Sequence, residues 1–402
     1  MNLAADRGPW LPLEGLKVLE VSRTATGAYA GKLFREYGAE VVLVEDLGIE
    51  SPVRSYGPHS TRGAAADGGG LHRYLNAGKK GISVRDASLD GRAVISELAS
   101  KADVVLHEYV RSEAEARGLT YDQLADANPA VVVVGITPFG EDGPYASWSA
   151  TEEILFAMSG RMLLQGEPDR HPLNYAPFVV SSQIATTAAG AALAAVTGAE
   201  SSGAGCGIDI SGLEAQLSSV DNLFLMYTMS GWEPPRGLYP PYTYPTADGA
   251  ILLGAVGPRF LDGMARAAGH PEITLDPRFS NPTALAEHIG EFDELMLPFF
   301  LGHETVELVD ILQNHGVLCA PLQSGRTALS DPQYTRRKFF QPLDSELPAP
   351  VPGPIFRLES EVPPPVLLPA PWPGQHTVEV LRDWLSAEQE TIRNLLELGA
   401  IA

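Results

Sequence analysis

The stretch from residue 11 to residue 45, LPLEGLKVLEVSRTATGAYAGKLFREYGAEVVLVE, constrains this chain more than any other, because it spells strand, turn, helix and second strand in succession. Leu16, Val18, Leu19 and Val21 form one short apolar run, and Val41, Val42, Leu43 and Val44 form another. Both have the length and apolar character of strands buried on two faces. Between them Ala28, Leu33, Phe34 and Tyr37 recur at helical spacing, and Gly38 stands where a helix needs a left-handed stop. The unit is therefore βαβ. Ser22 to Gly27 is the loop at the carboxyl end of its first strand, where open α/β sheets bind ligands and helix amides favour anions. It contains neither G-x-G-x-x-G nor G-x-x-x-x-G-K-[ST], so no dinucleotide fingerprint and no P-loop is present.

The same rhythm continues. Ile82–Val84, Val104–Leu106 and Val131–Val134 read as strands, with Gly91–Leu98 and Tyr121–Ala125 as helical links. Gly48–Gly70 reads as a loop that does not cradle phosphate, because no helix start follows it closely. Ile154–Leu163 and the alanine-rich Ser181–Val196 read as helices, Ile208–Ile210 as a strand and Leu213–Tyr227 as a helix. Prolines 234, 235, 240, 241 and 245 then interrupt regular structure and mark a domain transition. Leu347–Pro373 is proline-rich and expected to run extended over a surface, and Val378–Leu398 reads as a closing amphipathic helical region. The expected fold class is α/β: a Rossmann-like large domain from 1–231, a smaller α+β domain from 232–325, and a return segment, 326–402, that completes the large domain.

A length of 402 residues exceeds one ordinary core, in keeping with two domains. The formal charge of −22 disfavours nucleic acid or an anionic membrane as a partner, so an anionic ligand must be met by local arginines and lysines. Cys206 and Cys319 lack metal or disulfide spacing and read as buried, inert thiols. The amino-terminal MNLAADRGPW has no secretory pattern, and no stretch reads as approaching the roughly 20 apolar residues of a membrane span. The expected location is the cytoplasm.

Short motifs along nearly the whole chain resemble, in order, those of the class III CoA-transferase family, which includes formyl-CoA transferase, carnitine CoA-transferase and α-methylacyl-CoA racemase. Gly38-Ala39-Glu40-Val41 with Val44-Glu45 matches its G-A-E-V-x-x-V-E, Asn76 with Lys79 its N-x-x-K, and Ala102-Asp103-Val104 its A-D-V. Asn128-Pro129, Gly143-Pro144-Tyr145, Asp276-Pro277-Arg278-Phe279, Gly316–Pro321, Asp331-Pro332-Gln333 and Gly374-Gln375-His376-Thr377 follow in the family's order. The resemblance implies a Rossmann-like large domain built from both chain ends, a small central domain, and two ring-like monomers interlocked as a dimer. It also implies coenzyme A or acyl-CoA as substrate, a carboxylic acid as second substrate, and no metal.

In the family's transferases an aspartate before the alanine-rich helix carries CoA as an aspartyl thioester. Counting from both sides puts Ser181 at that position. The racemase histidine falls on Thr151, beside Glu152 and Glu153. Candidate catalytic residues are therefore Ser181, with Glu152, Glu153 or His171 as its base, and Tyr175 in the pocket. Candidate CoA-binding residues, carried over by the same resemblance, are Arg23, Thr24, Ala25, Arg54, Asn76, Lys79, Tyr109 and Arg117. Three functions stay open at this point: CoA transfer between an acyl-CoA and a carboxylic acid, a degenerate subunit paired with an active paralogue, and a repurposed isomerase, lyase or hydrolase.

Overall fold

The computed structural model describes residues 11–58, 68–218, 222–237, 242–254, 258–343, 349–358 and 368–402. The chain divides into two compact units, one formed by residues 1–165, 171–234 and 338–402, the other by 166–170 and 235–337. The short helices Gly325–Leu329 and Pro332–Arg337 belong to the second unit, so it ends beyond the expected residue 325.

Six parallel strands organise the first unit: β1 (Lys17–Val21), β2 (Glu40–Asp46), β3 (Lys80–Val84), β4 (Val104–His107), β5 (Val132–Thr137) and β6 (Cys206–Ser211). Their order is β3-β2-β1-β4-β5-β6. The chain builds outward from β1 in one direction and then, after β3, in the other. The switch point therefore lies between β1 and β4, and the loops leaving those two strands flank a crevice at the carboxyl edge.

Alternation along β1 sends its side chains to two cores. Leu19 and Val21 join Val42, Val84, Ile95 and Leu98 on one face. Val18 joins Phe34, Val104, Val134 and Ile184 on the other. Helix α1 (Ala25–Glu36) starts from Thr24, whose side chain accepts the Thr26 N–H, and stops ahead of Gly38 at φ 107. The segment expected as one helix over Ile154–Leu163 is instead α2 (Glu152–Met158) and a turn at Arg161–Leu164, because Gly160 between them is left-handed at φ 79. Helix α3 (Val179–Ser202) is 24 residues long and packs on α1 and β5 through Val180, Ile184, Ala185, Ala188 and Ala192. By length and composition it could cross a membrane, which corrects the reading that no stretch approaches a span. Its alanines put it there, and the same small side chains let it lie close against the sheet layer.

The carboxyl-terminal helices α4 (Thr377–Leu385) and α5 (Gln389–Glu397) are separated at Ser386, which is left-handed at φ 54. Val380, Leu381, Trp384 and Ile392 fill the core under β1–β3, and Ile401 bridges Val84. Between residues 347 and 373 the described part includes β11 (Pro350–Pro352), paired antiparallel with β10 (Phe340–Pro342). The second unit holds an antiparallel sheet of β7 (Tyr242–Pro245), β8 (Ala250–Leu253) and β9 (Cys319–Pro321) over a core that includes Ile251, Phe292, Met296, Phe300 and Leu312.

Two smaller expectations change. A helix, Gly70–Leu75, begins where Gly48–Gly70 was expected to run on as loop; residues 59–67, including Ala64–Asp67, lie outside the described residues. Cys319 is buried, but Cys206 is exposed at the outer strand of the sheet.

Candidate functional site at the carboxyl edge of the sheet

A cavity of about 240 Å³ opens beyond the carboxyl ends of β1 to β4, lined in part by Arg23, Asp46, Asp86, Glu108, Tyr109 and Arg117. Arg23 reaches Asp46 at 2.7 Å and Asp86 at 3.8 Å, and its side chain stays 41% exposed while those of the two aspartates are nearly sealed. Arg117 grips Asp86 through Nε at 2.8 Å and Nη2 at 2.7 Å, and its guanidinium lies 4.0 Å over the Tyr109 ring. The Tyr109 hydroxyl donates to Asp86 at 3.3 Å. Burial, helped by the Asp86 charge, pushes that phenol up to about 12, so it remains a donor at neutral pH. Asp46 and Asp86 are not among the sequence candidates. The signal that finds them is their place at the carboxyl ends of β2 and β3.

The start of α1 is occupied by the protein itself. Glu108, from the end of β4, accepts the backbone N–H groups of Arg23 at 2.7 Å, Thr24 at 2.9 Å and Gly27 at 3.0 Å, and also the Thr24 hydroxyl. The amides at this loop that the sequence offers to a ligand anion, those of Arg23, Thr24 and Gly27, thus already face a carboxylate. Replacing Glu108 by alanine is expected to cost about 2–3 kcal/mol, the range for charge-assisted bonds left unmade at a helix start. An unchanged denaturant midpoint would count against that role.

Arg54, Asn76 and Lys79 lie in a buried network. Lys79 Nζ donates to Glu20 at 2.6 Å, to the Ala28 carbonyl at 2.8 Å and to Asn76 Oδ1 at 2.8 Å. The Asn76 amide faces His72 Nδ1 at 2.9 Å, and His72 Nε2 faces the Pro371 carbonyl at 3.1 Å, which assigns the proton to Nε2. Arg54 binds both Glu45 oxygens, at 2.8 and 2.7 Å, and the Pro371 carbonyl at 3.1 Å. These groups tie β1, α1 and the return segment together.

The network also carries a pH signature. Burial, with the Arg54 charge behind it, pulls His72 down to about 3, and burial pulls His107 down to about 4. Each folded value lies below the unfolded one, so the unfolded chain binds more protons in acid. Stability is then present above the ordinary histidine range and falls as pH drops below about 6.5, with a slope of up to about 1.4 kcal/mol per pH unit per histidine. His72→Gln is expected to flatten that slope in urea titrations, and an identical slope would assign the acid lability elsewhere.

The second cluster is the start of α3. Glu152, the first residue of α2, accepts the Phe178 N–H at 2.8 Å and the Ser181 N–H at 2.9 Å, one on each carboxylate oxygen. Phe178 holds a left-handed φ of 68, unusual for a bulky residue, and its ring meets Tyr56 edge-on at 5.0 Å. Ser181 is buried, and among the described residues nothing hydrogen-bonds its hydroxyl. Glu152 therefore sits against Ser181 but holds its backbone rather than its hydroxyl. Glu153 is exposed, with its carboxyl held below the usual range by hydrogen bonding from Thr151. His171 is exposed, and Tyr175 is half-buried, tilted on Phe156 at 4.1 Å. The fold thus gathers Arg23, Thr24, Tyr109 and Arg117 around the cavity and Ser181 with Glu152 at α3, while Ala25 opens α1 outside the cavity lining and Arg54, Asn76 and Lys79 face inward.

Comparison with known proteins agrees with this architecture. Over residues 13–377 the chain matches the model of CoA-transferase family III. It is 29% identical to the succinyl-CoA–D-citramalate CoA-transferase of Chloroflexus aurantiacus across 97% of this chain and 98% of that protein. It is 30% identical to the succinate–glutarate CoA-transferase of Agrobacterium fabrum across 95% of this chain and 96% of that protein. Among solved structures, a CAIB/BAIF family protein from Brucella suis superposes with a TM-score of 0.81 at 23% identity, covering 94% of this chain and 100% of that one, and so shares the fold. With strand order, switch-point cavity and whole-length similarity in agreement, the chain belongs to CoA-transferase family III.

Proposed function

We propose that this protein moves CoA from succinyl-CoA, or a closely similar short acyl-CoA, to a carboxylic acid acceptor, with dicarboxylic acids as the acceptor class. The observation that carries the reading is similarity over almost the full length of two relatives whose names specify transfer of CoA between such acids. The cavity supports it: Arg23 offers a half-open guanidinium to phosphate, and Tyr109 with Arg117 forms a flat cationic wall for a nucleotide. Both arginines already face aspartates, so phosphate binds by exchanging one anion for another. Incubation with succinyl-CoA and a panel of dicarboxylic acids should yield new CoA thioesters, read by chromatography with mass detection. Hydrolysis alone, or no turnover with any acid, would overturn the reading.

Arg23→Ala is expected to weaken CoA binding by about 1–3 kcal/mol, roughly five- to 150-fold. The loss should shrink as salt rises, since a half-exposed charge is screened with a Debye length of about 10 Å at 0.1 M. Calorimetry checks both, and equal affinity would move the nucleotide elsewhere. Arg54→Ala, by contrast, should register in folding stability, because its partners are Glu45 and the Pro371 carbonyl.

The proposal includes an interlocked homodimer in the cytoplasm. Phe224, Leu225, Tyr227 and Met229, on the helix Asn222–Ser230, are 49%, 60%, 54% and 83% exposed, an apolar face suited to a second chain. Light scattering should give a dimer mass that persists on dilution; a monomer would sink that part.

A further inference from the structure

The nucleotide end of CoA carries two anionic groups, a pyrophosphate on one side of the ribose and a 3′-phosphate on the other. The cavity at the carboxyl edge is not built to meet both. Among the described residues that line it, two cations, Arg23 and Arg117, face four carboxylates, Asp46, Asp86, Glu108 and Glu113. Arg117 gives its N–H edge to the protein: Nε and Nη2 are held by Asp86, Nη1 donates to the Glu113 carbonyl at 2.9 Å, and the side chain is only 13% exposed. Arg23 is the half-open guanidinium of the two, and one such fork answers one phosphate group.

The carboxylates divide in the same way. Glu108 takes four donors, the N–H groups of Arg23, Thr24 and Gly27 and the Thr24 hydroxyl, which fills the lone-pair sites of its two oxygens. Asp86 is spent on Arg117 and the Tyr109 hydroxyl, and Glu113 is exposed. Asp46 is pinned without being filled. Its Oδ1 accepts the Asp86 N–H at 3.1 Å and its Oδ2 accepts Arg23 Nη2 at 2.7 Å, so among the described residues each oxygen keeps a lone pair. It is the last residue of β2, and its side chain, 9% exposed, lines the cavity. A nearly sealed carboxylate in this state attracts a hydroxyl donor and repels a phosphate. In dinucleotide-binding α/β sheets the same choice is made at the ribose, where a carboxylate takes a hydroxyl and an arginine is needed to accommodate a phosphate.

We propose, resting on the CoA transfer inferred above, that Asp46 is a specificity-determining residue of this cavity: it accepts a ribose hydroxyl of the nucleotide thioester, and the 3′-phosphate of CoA adds nothing favourable to recognition. Arg23 serves the pyrophosphate. Asp86 is a positioning residue, holding the Arg117 guanidinium flat over the Tyr109 ring. The nucleotide is then read by its hydroxyls, its base and one phosphate group.

The test compares two donors, succinyl-CoA and its 3′-dephospho counterpart, with the same dicarboxylic acid as acceptor. Wild-type protein should use the dephospho thioester with a kcat/KM within about threefold of that for succinyl-CoA, or above it. A stronger preference for succinyl-CoA would overturn the inference while leaving CoA transfer intact. Asp46→Asn, checked for folding by circular dichroism, removes the charge and keeps the shape. It should shift the ratio of the two kcat/KM values toward succinyl-CoA by about fivefold or more, because the repulsion facing the 3′-phosphate is gone. A merely structural Asp46 would lower both values together, so an unchanged ratio in the folded variant would overturn the assignment. The wild-type comparison decides the matter even where the variant does not fold. Wild-type protein that passes CoA from neither thioester to any acid would remove the proposed function, and this inference with it.

Discussion

Lys79→Met is expected to lower folding stability by about 3–5 kcal/mol at neutral pH, the cost of removing one partner from a buried ion pair. The side chains of Lys79 and Glu20 have no exposed surface, and burial has already raised the Glu20 carboxyl against the opposing pull of Lys79. Methionine fills the space but leaves Glu20 without its cation, which raises that carboxyl further. Its folded pKa then lies well above its unfolded one, so the favourable, protonated contribution is present below the unfolded value and is lost as pH rises through the folded value. Relative to wild type, the deficit should therefore shrink between neutral pH and about pH 5. Paired urea titrations check it; a deficit constant across that range would reject Glu20 as the cause. The loop after β1 should loosen as well, since the Ser22 hydroxyl donates to Glu20 at 2.8 Å.

Gly205→Ala is expected to cost about 3 kcal/mol or more, at the upper end of overpacking effects. A Cβ there would stand 1.9 Å from the Val131 carbonyl oxygen and 2.6 Å from its carbon, both backbone atoms that no rotamer can move. Gly205 also donates its N–H to the Pro129 carbonyl at 2.7 Å, which seats the loop after α3 against the start of β5 and sets β6 beside it. Relief would have to come from the β5–β6 edge. Thermal unfolding should show the loss, and a variant within about 0.5 kcal/mol of wild type would show that this edge yields freely.

The βαβ opening and the further parallel strands were legible because strands buried on both faces are predominantly apolar, and such a run is written locally in the sequence. Gly160 was harder to read. A glycine within an apolar helical pattern can be tolerated or can break it, and only the left-handed turn observed there decides which. Cys206 was misread for a related reason: cysteine is usually buried, but β6 is the last strand of the sheet, and strand order is not written locally. The basic residues show the same limit. Arg23 and Arg54 look alike as sequence, yet one opens into the cavity and the other turns to Glu45.

The sequence by itself determined the α/β class, the crossover at residues 11–45 and the family, because these rest on local periodicity and on short motifs kept in order along the chain. Only the tertiary structure decided where the charges go. Glu108 meets the start of α1 from 81 residues away, and Glu152 meets the start of α3 from 26 and 29 residues away. A helix start exposes its N–H groups whatever sequence follows, and which carboxylate reaches them depends on the packing of strands and helices remote in the chain.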